Sequence, residues 1–281
     1  APAQITWNLV SGQERGYDHF GPPFLLTTSD LLRNIRNVRT KIFPANQLVP
    51  TEVLKYEPRV ILEALHNCIA HQDYICNERI LVTEKVDRLI FENAGGFFEG
   101  TYEDYVTGER TPTRYRNGWL AQAMVNLNMI DTMGYGIHEM YAQQRRRFFP
   151  LPDYSRTTEF RVVVEIMGHV IDENYSRLLM ERSDLPFWAV VLLDQVQKKQ
   201  PIGEREVIEL RKMGLIEGRR PHLVVSAKVA DATNTRAKYT RDKGLDDQHY
   251  KELVIAHLRR FKQATREELA GILLDKLPNV I

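Results

Sequence analysis

Cysteine is scarce in this chain of 281 residues. There are two, Cys68 and Cys76, too few for the disulfide framework of a small secreted fold and in keeping with a reducing cytoplasm. Long apolar runs are missing too. The longest, Phe187 to Leu193, falls far short of the ~18 residues that a membrane-spanning helix needs, which excludes a helical membrane protein. No basic segment leads into an apolar one, and the chain begins at Ala1 without methionine. It therefore reads as a piece of a longer protein rather than a targeted precursor. Internal repeats and low-complexity tracts are absent, and no Gly-x-Ser-x-Gly elbow offers a serine for a hydrolytic triad.

What is present describes a soluble globular protein. Hydrophobic residues make up 43% and charged residues 27%, ordinary values for packed domains, and at ~150 residues per domain the length suggests two of them. The formal charge of +1 hides an asymmetry: residues 1–180 carry 19 Lys and Arg against 22 Asp and Glu, whereas 181–281 carry 19 against 15. That basic surplus permits nucleic-acid contact by the C-terminal part without requiring it.

Residues 1–51, with Gly21, Pro22, Pro23, Pro44 and Pro50, read as an arm or lead-in with one helix from Ser29 to about Val38. Pro58 suits the first turn of a helix running through Gln72, with Ile61, Leu65 and Cys68 on one face. Arg79–Thr83 and Arg88–Glu92 read as a hairpin. The polar stretch from Phe97 to Tyr115 is too long for a plain connector and is a candidate lid. Asn117 can cap a helix from Trp119 to Leu127, and Gly134 and Gly136 precede another through Arg146. Alternation of Phe160, Val162, Val164 and Ile166 marks a strand with one buried face. Beyond Gly168, helices are expected near Glu173–Arg182, Leu185–Lys198 and Gly203–Met213. An extended Leu223–Ala227 follows, a winged helix-turn-helix pattern. Further helices at Asp246–Lys262 and from Thr265, with Glu268 completing a capping box, would open a second such module that stops at Ile281.

Chemistry concentrates in Glu63-Ala-Leu-His-Asn67-Cys-Ile-Ala-His71-Gln-Asp73-Tyr74. At 100° per residue, Glu63, Asn67 and His71 share one polar sector of the helix. A carboxylate and an amide oxygen four residues apart suit a nucleotide site, the amide ligating Mg²⁺ and the carboxylate activating water. A solvated helix face is the alternative. Asn93-Ala-Gly95-Gly96 after a strand lets backbone approach a flat ligand, with Asn93 offering donor and acceptor to an adenine edge; a plain turn is the alternative. Met133-Gly134-Tyr-Gly136-Ile137 opens a helix whose free N–H groups form an anion cradle, or it is simply a helix start that needs positive φ. Zinc is disfavoured because His66 and Cys68 point about 200° apart on a helix. Cys68 fits the core instead. The run Arg145-Arg146-Arg147 fits a solvated helix end that complements the dipole, with contact to phosphate or an acidic partner as the alternative.

Taken together, Glu63 to Tyr74, Asn93-Ala-Gly95-Gly96, Tyr115-Arg116-Asn117 and Gly134-Tyr-Gly136-Ile137 resemble the ATPase-type domain of RecG-related, AlbA/Schlafen-domain transcriptional regulators. These are a branch of the GHKL, or Bergerat-fold, ATP-binding group. The resemblance implies an α+β protein: a Bergerat-type α/β sandwich over 52–168, a winged helix-turn-helix over 169–230 and the start of a second over 231–281. It implies ATP and Mg²⁺ as cofactors and ligand-gated transcription control as the role. Glu63 would be the water-activating carboxylate and Asn67 the Mg²⁺ ligand. Asn93, Gly95 and Gly96 would form the adenine-side loop and Gly134 and Gly136 the phosphate loop, with His71 and Arg116 as further nucleotide-binding residues. Asn93 stands where the wider group has an acidic residue, and Gly118 where the branch has proline. No Walker A pattern supports helicase activity.

For DNA, the candidates are Arg205, Arg211 and Lys212 on the helix and Arg219 and Arg220 on the wing. Glu204, Glu206 and Glu209 on that helix would repel phosphate, so protein binding or homodimer formation stays open beside DNA contact. A nucleotide-free interaction module and a slow ATPase also remain alternatives.

Overall fold

The computed structural model describes residues 4–42, 51–130 and 133–226, together with Ile255, Leu258 and Thr265. The chain divides into two units, Ala1–Ile171 and Asp172–Ile281.

The residues expected as a lead-in are part of the first unit's sheet. β1 (Ile5–Ser11) and β2 (Glu14–Phe20) form an antiparallel hairpin through a two-residue loop whose Gly12 takes φ +62°, the left-handed conformation that such tight turns favour. Pairing rather than patterning makes β2 a strand: its sequence ERGYDHF has no buried position, so no alternation betrays it. α1 (Phe24–Asn34) starts five residues before the expected helix because Phe24, Thr28 and Leu31 share its buried face. β3 (Arg39–Ile42) and β4 (Thr51–Leu54) pair separately.

α2 (Pro58–His71) carries Pro58 in its first turn and buries Ile61, Leu65 and Cys68, as its periodicity predicts. β5 (Ile80–Lys85) and β6 (Arg88–Ala94) form the expected hairpin, with Val82 opposite Phe91. The connection to the next helices is not all loop, since it contains α3 (Tyr102–Val106), whose start has a complete capping box of Thr101 and Asp104. α4 (Gly118–Asn126) and α5 (Tyr135–Arg146) follow, then β7 (Arg161–Met167). The sheet order is β2-β1-β5-β6-β7, with β1 and β5 parallel and the other pairs antiparallel.

This mostly antiparallel mixed sheet has two different faces. Val82, Phe91 and Val164 lie in register and are buried; α2 packs against β6. On the other face, Glu165 receives Arg88 Nη1 at 2.6 Å and Arg156 Nη1 at 2.7 Å. β7 differs from the one-sided strand that its alternation predicts. Phe160 precedes it and is 76% exposed, whereas everything from Val163 to Met167 is buried, because Asp153 pairs with Glu165 along the outer edge.

In the second unit, α6 (Glu173–Glu181), α7 (Phe187–Gln197) and α8 (Glu204–Lys212) lead into an antiparallel hairpin of β8 (Ile216–Arg219) and β9 (His222–Val225). Asp172 caps α6 by accepting from Asn174 N. Leu179, Val190, Leu193, Leu210, Leu215 and Val225 are buried. The second module expected over 231–281 lies outside the described residues apart from Ile255, Leu258 and Thr265. No helix among the described residues is long and apolar enough to cross a membrane.

Candidate functional site

Three stretches far apart in sequence converge on one cavity in the first unit. It is lined by Glu63, Asn67 and His71 from α2, Asn93 and Gly96 at the end of β6, and Gly134 and Gly136 at the start of α5. About 880 Å³ of open space lies within it, solvent at the mouth included. Spacing explains each contribution. Glu63, Asn67 and His71 recur every four residues on the side of α2 away from Ile61 and Leu65. Leu89, Phe91 and Asn93 alternate onto the buried side of β6, all three buried, so Asn93 closes the cavity floor.

Asn67 Nδ2 donates to Glu63 Oε1 at 3.1 Å, leaving the amide oxygen as that side chain's remaining strong acceptor. The same carboxylate lies against α5: a Cβ at Gly136 would stand 1.9 Å from Glu63 Oε1. Gly136 is thus a glycine of close approach, and the carboxylate sits at the first helical turn, where the peptide dipole favours negative charge. Burial pushes the His71 imidazole below its ordinary pKa, with the Arg116 charge a smaller cause. Its ring stacks on Tyr115 at 6.5 Å.

The other motif glycines are also closely approached by the protein's own atoms. A Cβ at Gly95, where φ is +82°, would come within 2.9 Å of Arg116 Cζ; one at Gly96 would meet Glu159 O at 2.5 Å. At Gly134, φ +81°, a Cβ would lie 2.8 Å from Pro112 Cδ and 2.9 Å from Arg110 O. Gly95 and Arg116 do not line the cavity. Asn93 Nδ2 donates to Ala94 O at 3.1 Å, which leaves its oxygen as the polar atom for a ligand.

The stretch expected as a lid contributes Phe97, Glu99, Tyr105 and Arg114 to the cavity lining. Glu99 accepts from Thr113 N and Arg114 N, both at 3.0 Å, and from the Thr113 hydroxyl, and these bonds hold its carboxyl below the usual range. Tyr105 OH donates to Glu99 O, and Arg110 Nη1 to Asp104 Oδ2. Phe97 stacks on Tyr105 and meets the edge of Tyr154, giving the cavity an aromatic wall. His138 Nδ1 on α5 lies 2.8 Å from Val106 O. Asn117 precedes α4 as expected but does not cap it; its Nδ2 donates to Ala70 O and Gln72 O.

Sequence reasoning missed Asp73, Gln72, Glu99 and Tyr154. The polar run His71-Gln72-Asp73 right after a helix was the available signal for the first two. Among the described residues no cluster of three or more His, Cys, Asp or Glu could hold a metal ion. His66 Nδ1 pairs with Met129 O, and Cys68 is buried with its thiol pushed up to about 12 by that burial.

In the second unit Arg205, Arg211, Lys212, Arg219 and Arg220 are all exposed. Arg211 Nη2 donates to Gly218 O at 2.7 Å and Arg220 Nη2 to Ile202 O at 2.5 Å.

Comparison with known proteins adds three findings. A family model described as "Putative ATP-dependent DNA helicase recG C-terminal" matches residues 77–164, from just before β5 into β7. It supports a RecG-related, ATPase-like domain in the first unit. No curated protein matches. Among solved structures, the crystal structure of the DIP2311 protein from Corynebacterium diphtheriae is similar, at 16% identity and a TM-score of 0.54 over 82% of this chain and 52% of that one. That likeness concerns the fold alone, and this chain spans about half the length of that protein.

Proposed function

We propose that the first unit binds an adenine nucleotide with Mg²⁺, and that the second unit is a winged-helix module, so that the chain acts as a nucleotide-responsive transcription regulator of the RecG-related type. The observation that carries the nucleotide reading is the convergence of Glu63, Asn67, His71, Asn93, Gly96, Gly134 and Gly136 on one cavity. The matched family supports an ATPase-like domain over part of it.

The donor set fits a magnesium nucleotide. Mg²⁺ takes most of its ligands from water and phosphate and needs few from protein, and the Asn67 amide, fixed through Glu63, can supply one oxygen. Such an ion would neutralise phosphate charge. Glu63, a buttressed carboxylate, can orient and deprotonate water, so any hydrolysis would be slow and depend on it. The Asn93 oxygen can accept from an exocyclic amine. In the second unit, a helix followed by a hairpin with exposed cations suits backbone contact with DNA.

One observation favours a second reading, a protein-interaction module that does not use nucleotide: the Glu63 carboxylate already lies at the first turn of α5, where phosphate would sit. Isothermal titration with ATP, with and without Mg²⁺, separates the two. Binding is expected, with Asn67→Ala weakening the Mg²⁺-dependent part more than the metal-free part, and Glu63→Gln removing turnover while leaving affinity nearly intact. Absence of both heat and melting shift at millimolar ATP rules out the nucleotide reading.

A further inference from the structure

Arg116 lies behind the cavity wall. Its Nη1 donates to Asp73 Oδ2 at 3.0 Å and its Nη2 to Gly96 O at 3.1 Å, a planar fork serving two acceptors at once. The guanidinium also covers the Phe98 ring, 5.1 Å from its centroid. Asp73 is fixed in turn: its N donates to Ala94 O at 2.9 Å, and its Oδ1 accepts from Ile75 N at 3.0 Å. Gly95 is the residue enclosed between them, 2.9 Å from Arg116 Cζ and 3.0 Å from Asp73 Cβ at its Cβ position. The next residue repeats the pattern, Asn117 bonding the end of α2 while Gln72 Oε1 accepts from Ala94 N. The end of α2, the end of β6 and the entry to the lid are therefore tied at one ion pair. Arg116 and Asp73 are 21% and 22% exposed, partly shielded from solvent, and neither lines the cavity, whereas Gly96, Phe97 and Phe98 do.

We propose that Arg116, with Asp73, is a positioning residue that holds the Gly96–Phe98 wall of the nucleotide site from outside and does not meet the ligand's phosphates. This rests on the nucleotide reading above and reassigns Arg116 within it. A ligand-contacting arginine and a positioning one differ in what they discriminate. Loss of a phosphate contact weakens ATP and spares adenosine. Loss of a wall weakens both by the same factor, because the wall shapes the site for whatever occupies it.

The test measures dissociation constants of adenosine and of ATP with Mg²⁺ for the full chain and for Arg116→Ala, Arg116→Lys and Asp73→Asn, at a temperature well below each variant's melting midpoint. Arg116→Ala should weaken both ligands by about tenfold or more and by matching factors. Asp73→Asn, which keeps the shape and removes the charge, should shift both in the same direction. Arg116→Lys should recover part of the loss, since an ammonium reaches one acceptor but not two. If Arg116→Ala does not fold, the lysine and asparagine variants decide alone. A loss confined to ATP overturns the proposal, as does unchanged affinity in all variants. A wild-type chain that binds neither ligand removes the nucleotide reading itself, and the positioning role with it, whereas binding wild type with indifferent variants removes the positioning role only.

Discussion

Gly136 illustrates how one missing side chain can organise a site. Its φ is not left-handed, so the position selects glycine for space alone, and that space is filled by Glu63 Oε1. Gly136→Ala must push the carboxylate away or shift α5; overpacking of this kind typically costs ~1–3 kcal/mol. Nucleotide turnover should fall with the Glu63 side chain displaced, and the melting midpoint should drop by a few degrees. An alanine variant with wild-type turnover would show that Glu63 has no fixed role. Two histidines set an acid limit in the same region. Burial lowers the pKa of both His66 and His71 in the fold, and His66 Nε2 is buried without a partner. Depressed bases bind fewer protons folded than unfolded, so their stabilisation is complete above pH ~6.5 and is lost as pH falls through the folded values. Urea midpoints should be flat from pH 8 to 7 and decline below 6.5, with a shallower decline in His66→Gln.

At the scale of elements, one carboxylate ties together the two ends of the stretch expected as a lid. Glu99 gathers two backbone N–H groups and a hydroxyl from the far end of the lid. Its depressed pKa means that this closure is present above the ordinary carboxylate range and is lost as pH falls through the lower folded value. Glu99→Gln keeps one acceptor and drops the charge; limited proteolysis within 107–115 should then run several-fold faster at neutral pH while cleavage elsewhere is unchanged. Equal cleavage in both proteins would remove Glu99 as the anchor.

Much of this arrangement was legible. α2 declares itself through Ile61, Leu65 and Cys68, and the three helices of the second unit fall within a few residues of where their apolar spacing puts them. The hairpin of β1 and β2 was not legible, because polar β2 gains its conformation from pairing with β1, which is itself held by β5, distant in sequence. That Glu63 and Asn67 share a helix face could be read from period, and that Asn93 stands at the end of a strand from the glycines that follow it. Asp73 and Glu99 act through hydrogen bonds between distant segments, which leave no periodic trace, and the atoms that crowd Gly95, Gly96 and Gly134 come from such distant segments too.

Across the whole molecule, the proposed roles of the two units can be measured separately. Each phosphate neutralised on DNA adds ~0.9 to the slope of log affinity against log salt. Arg211 and Arg220 spend donors on Gly218 O and Ile202 O, and Glu204 lies 3.7 Å from Arg220 Nη1. Binding by this chain should therefore be weak, with a slope no steeper than about −3. Arg205→Ala should make it shallower by ~0.9, whereas Arg220→Ala should chiefly lower the melting midpoint. A slope unaffected by Arg205→Ala, or no complex at low salt, leaves protein contact or self-association as the module's role.

The two cysteines, introduced as too few for a disulfide framework, also make the native chain chemically addressable. Cys68 is 3% exposed with its thiol raised to about 12, so it offers almost no thiolate to an alkylating reagent. Cys76 is exposed, in the short turn that begins one residue after Asp73. Its own pKa is raised, by desolvation and then by the Asp73 and Glu78 carboxylates, which slows labelling at neutral pH without preventing it. A fluorophore attached to the folded, unmutated protein thus goes to one known position, beside the ion pair that ties the end of α2 to the cavity wall, and its emission reports what happens there when a ligand is added.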